Sequence, residues 1–350
     1  MITPHGPIVI AHRGASGYLP EHTLEAKALA HGMGADFLEQ DVVLSGDAVP
    51  LVLHDLTLDA VTDVATRYPG RARADGHWYA IDFAWEELGG LRLRERLDPR
   101  TGRPAFPGRF PIGDPGGQSL FRLHTLDTEL TLIRGLNRST GREAGIYLEL
   151  KEPAWHEHQG QDLATAVLDV LGRHGYLKAG EPVYIQCFDP EQLERLHRLV
   201  PQVPLIQLIG EPSWWPRPPA DFATMRATAG LDHVSRYAAG IGPWIGHLLA
   251  GTDPGGRPRC TDLVDRAHQA GLRVHPYTLR RDLLPPGFAT FDSALGYLLD
   301  LGIDGIFTDF PDLAVRCRDA WYARQGDRAR APSGCSPTAT RVGPERPQSG

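Results

Sequence analysis

Two histidines end short apolar runs, His12 after Ile8-Val9-Ile10-Ala11 and His54 after Leu51-Val52-Leu53. Imidazole titrates near neutral pH, at a reference pKa of about 6.5, so two of them can divide a proton-donating and a proton-accepting task. Glu39 and Asp41 stand two residues apart in another apolar run, as do Glu149 and Lys151. On a strand that spacing points both side chains to one face. Three carboxylates converging from neighbouring strand ends repel one another unless a cation sits among them, and hard oxygen donors select Ca2+ or Mg2+ over zinc. The alternative is three solvated rim carboxylates in salt bridges. A lone histidine of this kind is more often structural, but two beside such a cluster favour acid–base work. Arg13, next to His12, offers a planar fork of donors for phosphate oxygens, and Lys151 adds a second positive charge.

These side chains need elements that bring them to one place. From about residue 145 apolar runs at Ile146–Lys151, Val183–Phe188, Pro204–Ile209, Ala238–Pro243, Arg273–Leu279 and Gly305–Asp309 alternate with amphipathic patterns. Leu163, Val167, Val170 and Leu171 make one helix that Gly175 ends; a second starts at Thr261 as N-cap and stops at Gly271, and a third runs from Asp292 to Gly302. Pro7–His12 and Asp36–Asp41, separated by a helix from Thr23 to Gly34, bring the strands to eight, the number that closes a parallel barrel. Pro50–His54 is a ninth candidate, and the Ser45-Gly46-Asp47 turn predicts that it folds back on the second strand as a hairpin. The expectation is an α/β fold, a TIM-like (β/α)8 barrel over residues 1–325. A small subdomain of residues 56–122, rich in Pro, Gly and aromatics, is inserted after that hairpin. Residues 326–350, rich in Arg, Pro, Ser and Gly, are expected to form a disordered tail.

The chain has 350 residues, 41% of them hydrophobic, and a net charge of −7, which argues against nucleic acid as a partner but not against a small anionic substrate. Cys187, Cys260, Cys317 and Cys335 show no close spacing and read as unpaired thiols. No apolar run reaches the length of a membrane span. The start lacks both a basic segment and an apolar stretch, so a cytoplasmic location is expected for the chain as written, or a periplasmic one if its natural start lies further upstream.

The segment Ile10-Ala11-His12-Arg13-Gly14-Ala15-Ser16-Gly17-Tyr18-Leu19-Pro20-Glu21-His22-Thr23 resembles the opening signature of the glycerophosphodiester phosphodiesterase family, in its bacterial periplasmic type. The resemblance continues through Leu38-Glu39-Gln40-Asp41, Val52-Leu53-His54-Asp55, Tyr147-Leu148-Glu149-Leu150-Lys151, Gln186-Cys187-Phe188-Asp189, His275-Pro276-Tyr277-Thr278 and Phe307-Thr308-Asp309-Phe310-Pro311-Asp312. It covers nearly the whole chain except the tail. It implies a TIM-like barrel with His12 and His54 as acid–base pair, a divalent metal held by Glu39, Asp41 and Glu149 (calcium in the periplasmic type), and phosphate bound by Arg13 and Lys151. Gln186, Phe188, His275 and Tyr277 would line the substrate pocket. The implied reaction is metal-dependent hydrolysis of a glycerophosphodiester to an alcohol and sn-glycerol 3-phosphate. Two other readings compete: a lysophospholipid or sphingolipid headgroup phosphodiesterase or lyase on a related barrel, and a non-catalytic glycerophosphodiester-binding protein.

Overall fold

A computed structural model describes residues 6–98, 101–110 and 120–330. Eight short parallel strands alternate with helices: β1 Ile8–Ala11, β2 Phe37–Leu44, β3 Gly145–Leu150, β4 Val183–Cys187, β5 Leu205–Ile209, β6 Gly240–Pro243, β7 Arg273–Val274 and β8 Gly305–Thr308. Their order around the sheet follows the chain, from β8 through β1 to β7. β7 is shorter than the sequence suggests because Pro276 supplies no amide hydrogen for a ladder. The chain beyond it still closes the ring. The amide of Asp304 donates to Val274 O (2.9 Å), that of Phe307 to Pro276 O (3.0 Å) and that of Leu279 to Phe307 O (2.8 Å).

The inside of the barrel is apolar at its floor and polar at its mouth, and the period of two along each strand makes both layers. Ile8, Ile10, Phe37, Tyr147, Tyr184, Ile206 and Phe307 pack together in the floor. Two residues further along the same faces come His12, Glu39, Glu149, Gln186 and Asp309, and after Glu39 comes Asp41. Alternate residues such as Leu38, Val42, Ile146, Leu148 and Leu150 point outward into the main core under the helices.

Gln40 also points outward, and there the layer holds charge. Lys27 and Glu129 are both fully buried and ion-paired at 2.8 Å. Lys27 Nζ also donates to the backbone carbonyl of Glu39, and Glu129 accepts from Gln40 Nε2 (2.9 Å) and pairs with His124 Nε2 (2.7 Å). Helix Leu24–Gly32 carries Lys27 and is capped by Thr23, whose hydroxyl accepts the amide of Ala26. Helix Leu126–Thr140 carries Glu129.

Pro50–Val52 pairs antiparallel with the end of β2, the expected hairpin. The stretch after it packs Leu58, Val61, Phe83, Leu88, Leu91 and Phe121 into a second cluster against Val43, Leu51 and Leu53. Residues 99–100 and 111–119 of the expected insertion lie outside the described residues, as do tail residues 331–350 and Cys335. The last helix, Pro311–Arg330, runs up to that limit. Cys187, Cys260 and Cys317 are free thiols. Thr261 is not the N-cap expected of it. Its hydroxyl donates to His247 O at 2.9 Å, and Asp262 stands at the cap of Leu263–Gln269.

The Lys27–Glu129 pair gives a stability prediction. Lys27 holds Glu129 down: burial opposes the charge, but Lys27 and His124 bring its pKa to about 2. Below its ordinary value of about 4.3, this contribution fades as pH falls through about 2, and above it the contribution is complete. Lys27→Met should cost about 3–5 kcal/mol near neutral pH, because it strands a buried carboxylate, and Lys27→Met/Glu129→Leu should recover part of the loss. Urea melts of the three proteins read this directly. A double variant less stable than the sum of the singles would contradict it.

Candidate active site

The mouth of the barrel opens into a cavity of about 590 Å3 lined by His12, Arg13, Glu39, Asp41, His54, Glu149 and Lys151, so all seven residues singled out by sequence meet in one place. Each histidine is braced by its own carboxylate. His12 Nδ1 lies 2.7 Å from Asp309 Oδ1, and His54 Nδ1 lies 2.5 Å from Asp55 Oδ1. Neither Nε2 has a hydrogen-bond partner among the described residues, which leaves that nitrogen of each ring for the cavity. Burial, then Arg13 and Lys151, push the His54 pKa down to about 3 against the pull of Asp41 and Asp55, so this ring is neutral at ordinary pH.

The loop between β1 and the first helix is wound tightly to place Arg13. Arg13 and His22 both take left-handed backbone angles, φ 56° and 55°. The amide of Arg13 donates to Glu39 Oε2 (2.6 Å) and that of His22 to the carbonyl of Arg13 (3.0 Å), and these bonds help offset the strain. Gly14, at φ 87°, has no room for a side chain: a Cβ would stand 2.8 Å from the backbone of Ala26. The Arg13 guanidinium reaches Glu21 at 3.0 Å and Asp41 at 3.5 Å.

Glu39, Asp41 and Glu149 are each at least nine-tenths buried. β2 and β3 pair Asp41 beside Glu149 in register. Burial and the charge of Asp41 raise the Glu39 pKa well above the usual carboxylate range. Burial pushes Glu149 up to about 7, with Lys151 opposing and Asp41 reinforcing it. Burial also works against an ionised Asp41, yet Lys151, His54 and His22 hold its pKa low. Lys151 Nζ sits 2.6 Å from Glu149 and 3.6 Å from Asp41. Even so, Asp41 Oδ1 is buried without a hydrogen bond. An unsatisfied carboxylate oxygen between two acids whose protons bind too tightly fits a divalent cation, which would replace those protons.

Donor atoms of His22, Glu39 and Asp41 come within 4.8 Å of one another. His22 Nε2 is 2.7 Å from Asp41 Oδ2. No role for His22 is legible in the sequence, because one histidine in a loop carries no register to place it. The same holds for Asp55, Asp309 and Glu21, although all three stand within the family-like segments. Arg96, from the stretch after the hairpin, was missed altogether. It binds Glu21 at 2.6 and 2.7 Å and Asp55 at 2.6 Å, tying the supports of Arg13 and His54 to each other. Gln186, Phe188 and Tyr277 line the cavity as expected. His275 does not: it lies at the floor, its Nδ1 2.9 Å from Tyr147 Oη, because its strand position falls one layer below the mouth.

Residues 12–313 match the model of the glycerophosphoryl diester phosphodiesterase family. The chain is 40% identical over 328 residues to a glycerophosphodiester phosphodiesterase of Haemophilus influenzae, covering 88% of each, and 38% identical over 327 residues to one of Treponema pallidum, covering 88% of this chain and 91% of the relative. A solved Silicibacter pomeroyi structure, provisionally described as a glycerophosphoryl diester phosphodiesterase, superposes with a TM-score of 0.65 at 26% identity, covering 91% of this chain and 95% of that one. A phosphodiesterase of Oleispira antarctica, solved with its product sn-glycerol-3-phosphate, shares the fold at a TM-score of 0.62 and 22% identity, with coverages of 90% and 98%.

The raised pKa values of Glu39 and Glu149 would make the binding of a divalent cation at this cluster pH-dependent. Both pKa values are raised, so the cation-free cluster carries protons below about pH 7 that a bound cation must displace. Ca2+ affinity should therefore rise between pH 6 and pH 8, by about 10-fold per displaced proton and pH unit below the pKa. Calorimetric titration at pH 6 in two buffers of different ionisation enthalpy should show proton release. Equal affinity at both pH values, with no buffer dependence, would speak against the cluster as the binding site.

Proposed function

Because the chain belongs to the glycerophosphoryl diester phosphodiesterase family, we propose that it hydrolyses glycerophosphodiesters to an alcohol and sn-glycerol 3-phosphate, with His12 and His54 as its acid–base pair. The observation that carries this reading is the pair of imidazoles, each fastened through Nδ1 to a carboxylate and both facing one cavity with Arg13 and Lys151.

His54 is neutral at ordinary pH and suits the base: its Nε2 takes the proton of the incoming oxygen nucleophile. His12 suits the acid. Its Nδ1 faces Asp309, whose carboxylate is kept ionised despite burial by His12 and Arg280, and this contact fixes the ring with Nε2 turned to the departing oxygen. As the phosphorus–oxygen bond to the alcohol breaks, His12 gives its proton to the departing oxygen, so that a poor leaving group departs as a neutral alcohol. Arg13 and Lys151 face the phosphate oxygens and hold the diester between the two rings. Glu39, Asp41 and Glu149 would hold the divalent cation, with His22 as a further donor within reach, and their hard oxygens favour Ca2+, then Mg2+. When bound, the cation supplies positive charge against the phosphate.

Alanine at either histidine should lower kcat by about 10²–10⁴-fold, the range of general acid–base catalysis, and move KM much less. A glycerophosphodiester of p-nitrophenol needs little protonation to leave. It should restore most of the rate of His12→Ala and little of that of His54→Ala. Equal rescue of both variants would overturn the division of roles.

A further inference from the structure

Behind each of the two histidines stands a chain of three further groups, and the two chains match atom for atom. His54 Nδ1 meets Asp55 Oδ1, and the other oxygen of Asp55 accepts from Arg96 Nη1 at 2.6 Å. Arg96 turns its remaining edge to Glu21, with Nε and Nη2 donating to the two carboxylate oxygens at 2.7 and 2.6 Å. On the other side His12 Nδ1 meets Asp309 Oδ1, and Asp309 Oδ2 lies 3.2 Å from Arg280 Nη1. Arg280 turns the same edge to Asp282, with Nε and Nη2 donating to its two oxygens at 3.1 and 2.7 Å. Neither arginine lines the cavity. We propose that Arg280 and Arg96 are positioning residues for the two histidines, Arg280 setting His12 as acid through Asp309 and Arg96 setting His54 as base through Asp55. The inference rests on the acid–base reading given above.

A carboxylate held by one oxygen can swing about its Cβ–Cγ bond, and an imidazole bonded to it swings with it. With both oxygens engaged the carboxylate plane is fixed, and Nε2 keeps one direction into the cavity. Guanidinium suits this task. Its fork grips one carboxylate with two parallel bonds and leaves Nη1 as a further donor at a fixed angle for a second, which an ammonium cannot do. The two chains differ in what lies at their far ends. Asp282 is exposed and, among the described residues, pairs with no residue of the cavity. Glu21 also accepts from Arg13 Nη1 at 3.0 Å. Loss of Arg280 therefore disturbs His12 alone, whereas loss of Arg96 disturbs both His54 and the phosphate-facing Arg13.

The test uses the whole chain with its metal and two diesters, glycerophosphocholine and the glycerophosphodiester of p-nitrophenol. Arg280→Met should lower kcat for the choline ester by about 10–100-fold, the cost of displacing a reacting group by up to about 1 Å, and leave KM unchanged. The p-nitrophenol ester, which hardly needs the acid, should restore most of that rate. Arg96→Met should lower kcat for both esters and also raise KM. On the p-nitrophenol ester its kcat effect should persist in full beside His12→Ala and largely vanish beside His54→Ala. Arg280→Lys and Arg96→Lys keep the charge without the fork and should fall between; where a methionine variant does not fold, the lysine variant gives the same readout. A merely structural role would make Arg280→Met equally slow on both esters, or leave the Arg96→Met effect intact beside His54→Ala. Either result overturns the inference, as does full activity of the arginine variants. Undiminished rates of His12→Ala and His54→Ala would overturn the acid–base reading and the inference with it.

Discussion

Negative charge buried at one end of a barrel is the constraint that organises this molecule. Glu39, Asp41 and Glu149 lie on the inner faces of two adjacent strands, and water cannot screen their mutual repulsion. Positive groups surround them for that reason. Lys151 stands against Glu149 and Asp41, Arg13 against Asp41 and Glu21, and the backbone amide of Arg13 against Glu39. The compensation is incomplete, as the bare Asp41 oxygen and the raised Glu39 and Glu149 show. A fold that needed only stability would replace such a cluster with apolar residues at no loss. The incompleteness is what a cation and a phosphate can exploit.

The outer layer treats charge in the opposite way. Lys27, Glu129, Gln40 and His124 form a hydrogen-bonded set behind β2, with the ammonium of Lys27 also fastened to the carbonyl of Glu39. There the counter-charges are complete, so the network can fix the strand from behind while the front face stays reactive. Arg96 does the same from above, joining Glu21 to Asp55 and so the mount of Arg13 to that of His54. Arg13 is thereby held from two sides, by Asp41 of the barrel and by Glu21, which Arg96 fastens in turn.

Much of this was legible in the sequence because strands write their geometry at a period of two. Glu39–Asp41 and Glu149–Lys151 declare a shared face, and an apolar run ending in His12 declares a strand end. The eight strands and the hairpin fall where the alternation of apolar runs puts them. The supports were not legible. Asp309 meets His12 across 297 positions and Arg96 meets Glu21 across 75, and no local pattern encodes contacts of that separation. Lys27 carries no local sign of its partner Glu129, which lies 102 positions away. His275 was misplaced for a related reason: its motif gives the strand but not the layer, and one layer down, it serves the floor.

The division between floor, mouth and rim bears on how such a barrel can vary. The floor is packed from large rings, Phe37, Tyr147, Tyr184 and Phe307, and a change in volume there shifts every strand end above it. At the mouth, single atoms have fixed partners at hydrogen-bond distance, so substitution breaks a charge balance rather than a packing contact. Only at the rim do residues such as Trp214 and Glu152 sit in solvent, where substitution costs the fold little. The outer parts of the loops after β3, β4 and β5, beyond Lys151, can therefore vary without disturbing the carboxylates, the histidines or the cations that hold them. The placement of the chemistry at the C-terminal ends of the strands allows that separation, because there each strand hands its last inward residue to a loop that the barrel itself does not need.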